Sequence, residues 1–151
     1  LDVLGIRLIS PDEPPVLLLQ EQGGTRCLPI WIGHMEAAAI AGALEGEVPQ
    51  RPMTHDLLAE VMAMLSDEPG TATITDMAEG VYDAVIEVGE RKVAARPSDC
   101  VAVAVRLGWP IQCPPGLMDQ VGVEVDATET DEVEAFRAFL DTVNADDFED
   151  E

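Results

Sequence analysis

Positive charge is scarce in this chain. Lys and Arg number 8 against 30 Asp and Glu, with two His, for a formal net charge of −22. So negative a surface repels phosphate backbones and lacks the basic footprint of a nucleic-acid binder, so any action on nucleic acid has to run through divalent cations or a local cluster of the few arginines. The acidity is not confined to one end: residues 124–151 hold 12 acids and one Arg, residues 1–123 hold 18 acids and seven bases, and each part carries −11. Cysteine is also scarce. Cys27, Cys100 and Cys113 are odd in number, lack CxxC spacing and lie in apolar contexts, which excludes a disulfide scaffold and a zinc site. They read as reduced core thiols of a cytoplasmic protein, a reactive thiol being the lesser reading. No apolar run reaches membrane-spanning length, the best candidate, residues 35–44, being short and interrupted by Glu36. No leader pattern opens the chain at Leu1. HExxH, a phosphate-binding glycine loop, a nucleophile elbow and a zinc-spaced Cys/His set are all missing.

What is present suits a folded domain. The chain has 151 residues, 47% of them apolar, enough for one unaided core and too many for wholesale disorder. Residues 1–9 read as a strand, residues 10–15 as a turn cluster, residues 16–19 as a buried strand, and Gln22-Gly23-Gly24-Thr25 as a hairpin turn. Residues 27–32 make the next strand, with Pro29 favouring an edge or a bulge. Residues 35–44, rich in Ala, predict a helix closed by Gly46 in the left-handed conformation. A second helix begins at Thr54, with Leu57, Leu58, Val61, Met62 and Leu65 on one apolar stripe. The plan then repeats: strands over 71–75, 81–88 and 91–95, the last two joined by Gly89-Glu90. Residues 98–107 alternate Val and Ala and suit either a buried strand or a helix; the Ser at their start and Gly108 at their end favour helix. A short strand over 110–113 and a helical turn over 115–120 follow. Strand runs separated by helices give an α+β fold, duplicated strand-rich units with antiparallel hairpins packed against short helices. Residues 1–123 form the domain; residues 124–151 form an acidic tail with an amphipathic helix over 131–143, its stripe Val133, Phe136, Leu140 and Val143 docking on the core or on a partner.

Two stretches share a grammar: Arg51-Pro52-Met53-Thr54-His55-Asp56 and Arg96-Pro97-Ser98-Asp99, each leading into an apolar segment. Thr54 and Ser98 read as helix caps, Asp56 and Asp99 as helix-start carboxylates paired with Arg51 and Arg96. The functional alternative is one shared site. Glu36, Glu45, Asp56 and Asp99 are candidate ligands for a divalent metal, with His55 as a further ligand or as a base; His55, Asp56 and Asp99 are the candidate catalytic groups; Arg51, Arg96 and Ser98 are candidate holders of a phosphate or other anion. Trp31 and Trp109 read as packing anchors ahead of any base-stacking role, and His34 as a loop residue.

Taken together, residues 28–33 (LPIWIG), 36–40 (EAAAI), Arg51-Pro52-Met53-Thr54-His55-Asp56-Leu57 and Ala95-Arg96-Pro97-Ser98-Asp99 resemble the bacterial and plant bifunctional nuclease family over residues 1–123, and the tail from Phe136 to Phe148 resembles C-terminal ends seen there. The resemblance implies a compact α+β domain, self-associating as a homodimer or larger, with activity on RNA and DNA; it supplies no agreed catalytic set. The expected function is divalent-metal-assisted hydrolysis of nucleic-acid phosphodiesters with Mg²⁺ or Mn²⁺, and the rival is a non-enzymatic anion-binding or oligomeric interaction module. Nucleic acid and a second copy of the chain are the expected partners; a membrane is not.

Overall fold

A computed structural model describes residues 1–8 and 10–124. Its elements run β1 (Asp2–Arg7), β2 (Val16–Gln20), β3 (Arg26–Trp31), α1 (His34–Leu44), α2 (Thr54–Leu65), β4 (Gly70–Ala78), β5 (Val81–Val88), β6 (Arg91–Ala95), α3 (Pro97–Leu107), β7 (Ile111–Gln112), α4 (Pro115–Val121) and β8 (Val123–Glu124). The fold is α+β, as expected. The predicted helix over 131–143 and Ile9 lie outside the described residues.

Two four-stranded sheets carry the duplication. One has the order β1-β2-β3-β8, the other β6-β5-β4-β7. Each is built on an antiparallel three-strand meander, and each is followed by a helix. The added strands break the symmetry: β8 pairs antiparallel with the start of β3, whereas β7 pairs parallel with β4. Pro29 lies on β3 beyond the two residues that β8 covers, so its missing N–H costs no ladder bond to β8. The two-residue β8 was not foreseen, because Val123-Glu124 is too short to carry a period.

Sequence and packing agree most closely in β2. Its continuous run is buried on both faces: Leu17 and Leu19 enter the main core with Leu28, Ile30 and Ile40, while Val16 and Leu18 meet Cys27 on the other side. The second buried element is α3, in which every residue from Cys100 to Ala104 is buried. It packs against α1, α2, β4 and β5, which is why its Val/Ala alternation showed no polar face. Gly108, at φ 69°, ends it in the left-handed conformation that a residue with a Cβ adopts at a cost.

Two local expectations fail, the helix caps and the Trp31 anchor. Thr54 and Ser98 are not caps. The N-cap positions are Met53 and Arg96, neither with a side-chain cap bond, so Thr54 is the first and Ser98 the second helical residue, Ser98 being buried. Pro97 takes the first helical position, where a missing N–H is harmless, and this moves the cap back by two residues. Of the α2 stripe, Leu57, Leu58, Val61 and Leu65 are exposed, Met62 packs half-buried against the core, and Ala59 is the one buried residue of the helix. Trp31, at the end of β3, is 53% exposed rather than an anchor, whereas Trp109 packs against the core beside Gly70. Among the described residues no helix is long and apolar enough to cross a membrane.

Candidate functional site

The two helix starts do converge. His55 and Asp56 are the second and third residues of α2, Ser98 and Asp99 the second and third of α3. The paired carboxylates thus occupy the same helical position, where the first-turn N–H groups favour negative charge. Asp56 uses it conventionally, accepting the Met53 N–H at 3.0 Å. Asp99 instead holds the side chain of its own N-cap residue: Arg96 Nε donates to Asp99 Oδ2 at 2.9 Å and Arg96 Nη2 to Oδ1 at 3.2 Å.

Around that fork two further groups gather. His55 Nε2 lies 2.8 Å from Asp99 Oδ1, and Arg96 Nη2 lies 3.1 Å from Glu36 Oε1 at the start of α1. Glu36, His55, Arg96 and Asp99 therefore form one connected group spanning α1, α2 and α3. The Arg96 side chain is 65% exposed, and its Nη1 donors take part in none of these bonds. Burial pulls the Asp99 carboxyl up, but the bonds from Arg96 and His55 outweigh it and hold the group below the usual carboxylate range. The same carboxylate, with Glu36 behind it, pushes the Arg96 guanidinium further up.

A second pair stands beside the first. Arg106, in the last turn of α3, donates from Nε to Asp56 Oδ1 at 2.7 Å, from Nη1 to Ala102 O at 2.8 Å and from Nη2 to Ala39 O at 3.1 Å. One guanidinium thus ties α3 to α2 and to the backbone of α1, whose small residues permit the approach. The Arg106 bond, together with the Met53 N–H, holds the Asp56 carboxyl below its ordinary range against partial burial. Sequence reading paired Asp56 with Arg51 and overlooked Arg106. The available signal was a lone cation ending an apolar helix, where it also meets the negative end of the helix dipole.

Both pairs line a groove of about 1200 Å³ between α1, α2, β6 and α3. Its other walls are apolar, with Met35, Met53, Leu58, Met62 and Val93 among them. Of the residues singled out from sequence, Glu36, His55, Asp56, Arg96 and Asp99 line it. Arg51 is exposed in the connector before α2, Glu45 closes the far end of α1, and Ser98 is buried; none of the three lines the groove.

The carboxylates do not present a metal-binding set. Both oxygens of Asp99 are bonded, Asp56 is shared between Arg106 and a backbone N–H, and Glu36 faces Arg96. Among the described residues no three His, Cys, Asp or Glu are grouped so as to hold an ion. The thiols offer no nucleophile either: burial pushes Cys100 up to about 11 and raises Cys113.

Residues 16–126 match the family described as Bifunctional nuclease domain. Two Mycobacterium tuberculosis proteins are similar over nearly the whole chain: Uncharacterized protein MT1877 of strain CDC 1551 / Oshkosh and Uncharacterized protein Rv1829 of strain ATCC 25618 / H37Rv. Each is 44% identical over 156 residues, covering 97% of this chain and 95% of the relative.

Proposed function

This chain belongs to the bifunctional nuclease domain family, and from that premise we propose that it hydrolyses nucleic-acid phosphodiester bonds at the Glu36–His55–Arg96–Asp99 group. The observation that carries the reading is an exposed arginine fork beside a histidine held by a carboxylate, inside an open groove. Arg96 binds the phosphate through Nη1 and offsets charge developing on its oxygens. Asp99 accepts from His55 Nε2–H, which fixes the tautomer and leaves Nδ1 as the proton acceptor. That nitrogen takes a proton from water, the oxygen attacks phosphorus, the P–O ester bond breaks, and the imidazolium returns the proton to the leaving oxygen. Glu36 holds the second nitrogen of Arg96 in place. Divalent-metal assistance belongs to the sequence expectation; with Glu36, Asp56 and Asp99 each engaged by an arginine, no step is routed through an ion.

The test is cleavage of end-labelled single-stranded RNA and DNA in EDTA, Mg²⁺ and Mn²⁺. Cleavage lost in His55→Ala and Asp99→Asn, with circular dichroism unchanged, supports the reading; no cleavage by the intact chain under any condition overturns it. Saturation of the carboxylates favours a second reading, an anion-binding module without hydrolysis. It expects phosphate or a nucleotide to raise Tm in the intact chain, with the rise lost in Arg96→Ala. Self-association is part of the proposal as well, supported by the exposed α2 stripe of Leu57, Val61, Met64 and Leu65, and sedimentation velocity tests it.

A further inference from the structure

The groove around the Arg96–Asp99 fork offers much apolar surface and very little positive charge. Its lining carries four carboxylates, Glu36, Glu47, Asp56 and Asp99, against two guanidiniums. Arg106 uses all three of its nitrogens on Asp56, Ala102 and Ala39. Arg96 uses Nε and Nη2 on Asp99 and Glu36. One guanidinium nitrogen, Arg96 Nη1, stays outside these bonds. The cations nearest in sequence, Arg51, Arg91 and Lys92, are not among the lining residues. A groove that tracks a nucleic-acid strand has the opposite design, a positive path along the backbone and aromatic platforms for successive bases. No Phe, Tyr or Trp lines this one.

The far end is hostile to phosphate as well. The lining follows α1 from Glu36 to Gly42 and continues to Glu47, alongside an 11-residue helix roughly 16 Å long. That helix closes through Gly46, at φ 72°, and the Glu47 N–H donates to Gly42 O at 3.0 Å, which fixes the Glu47 backbone. The Glu47 carboxylate lies over Gly42, where a Cβ would stand 3.3 Å from Oε2. Among the described residues this carboxylate has no hydrogen-bond or ion-pair partner. A strand carries one charge about every 3.4 Å. Laid along the groove, it would bring several phosphates past a single free donor and up to a bare carboxylate. Between the two ends the walls are Met35, Met53, Leu58, Met62 and Val93, polarizable and aliphatic groups against which a planar base packs. The volume of about 1200 Å³ is just above the range of small-ligand sites, roughly 300–1,000 Å³.

We propose that the site takes its substrate as short oligonucleotides, a dinucleoside monophosphate being the unit that fills the groove: one phosphate on Arg96, the bases on the methionine walls, and Glu47 turning away a further phosphate. This substrate class rests on the hydrolytic reading given above. Hydrolysis of the unit consumes one water, breaks one P–O ester bond and yields a nucleoside and a nucleoside monophosphate. The second product gains negative charge as its monoester ionises, so the acidic lining that limits entry to one phosphate also favours its exit.

The experiment compares, on the full chain, a dinucleoside monophosphate, a tetramer and a strand of about 24 nucleotides of one RNA repeat, all with 5′-hydroxyl ends, at about 0.02 and 0.2 M NaCl. At low salt kcat/KM for the dinucleotide is expected to exceed that for the long strand by about tenfold or more, and the gap is expected to narrow as salt screens the repulsion. Glu47→Lys is expected to raise kcat/KM on the long strand by about tenfold, its new cation meeting the added phosphates. Val93→Glu, which charges an apolar wall, is expected to raise KM for the dinucleotide. A long strand cleaved as well as the dinucleotide, with an affinity that falls steeply with salt as many phosphate contacts require, overturns the proposal and leaves hydrolysis standing. So does a Glu47→Lys variant with the length preference of the wild type. If the intact chain cleaves neither length, calorimetric titration of both into it decides. Tighter binding of the dinucleotide keeps the length preference while the hydrolytic reading falls; equal or tighter binding of the long strand, or binding of neither, ends both.

Discussion

Two arginines in this molecule do opposite work, and the difference is burial. The Arg106 side chain is 12% exposed and fully engaged; that of Arg96 is mostly exposed and keeps Nη1 free of the cluster's bonds. Removing Arg106 leaves the Asp56 carboxylate half-buried without its main partner and frees the Ala39 and Ala102 carbonyls. Arg106→Ala is therefore expected to destabilise the fold by about 3 kcal/mol, the range for breaking a largely buried pair from one side, read as a fall in urea midpoint at constant m. Arg96→Ala removes an exposed partner, costs well under 1 kcal/mol, and weakens anion binding instead. At the same scale, His55→Ala is expected to lower kcat/KM by about 10²- to 10⁴-fold, the usual worth of a general base. Sequence alone reached Glu36, His55, Asp56, Arg96 and Asp99 because each lies at a helix start with a recognisable residue grammar. It missed Arg106 because that residue comes to Asp56 from 50 positions away, and nothing in local spacing records a partner so distant. Arg51, by contrast, was promoted by adjacency and then left in the connector.

At the scale of elements, the strand–helix order was legible because each segment carried its own period and its own stop. The Gly89-Glu90 hairpin turn, the β5 and β6 limits and the Gly108 terminus all follow from local chemistry. Gly108→Ala puts a Cβ at φ 69° and is expected to cost about 1 kcal/mol, seen as a Tm lower by several degrees. What period cannot say is which partner a stripe faces. The stripe on α2 is legible as amphipathic, yet the only buried residue on α2 is Ala59 and of the stripe Met62 alone packs on the core, because α3, itself wrapped in apolar contacts, fills the interior. Leu65→Glu tests the exposed placement. In a core position it would cost several kcal/mol; at 75% exposure it is expected to stay within about 0.5 kcal/mol of wild type. The same variant is expected to shift sedimentation toward the monomer.

Across the whole molecule, a charge of −22 sets how the fold responds to solvent. Like charges spread over one small domain repel, and the compact state bears more of that repulsion than the unfolded chain. Raising NaCl from about 0.02 to 0.5 M shortens the screening length severalfold and is expected to raise Tm, leaving the half-buried Asp56–Arg106 pair largely unscreened. Acid acts in two opposed ways. As pH falls from 7 toward 5, carboxylates begin to take up protons and repulsion eases. Asp56 and Asp99, however, are held below their ordinary range in the folded state by Arg106 and by Arg96 with His55. A depressed folded-state pKa means that the unfolded chain binds the proton first. The stabilisation from these two groups is therefore complete above the unfolded value near 3.9 and is lost as pH drops through the folded value. Thermal unfolding followed from pH 8 to pH 2.5 should show Tm rising modestly toward pH 5 and then falling steeply below about 4. Asp99→Asn, which no longer titrates there, should begin from a lower plateau and fall less steeply. A Tm that declined monotonically from pH 8, or an acid limb unchanged in Asp99→Asn, would mean that the repulsion and the helix-start pairs do not set stability as the geometry implies.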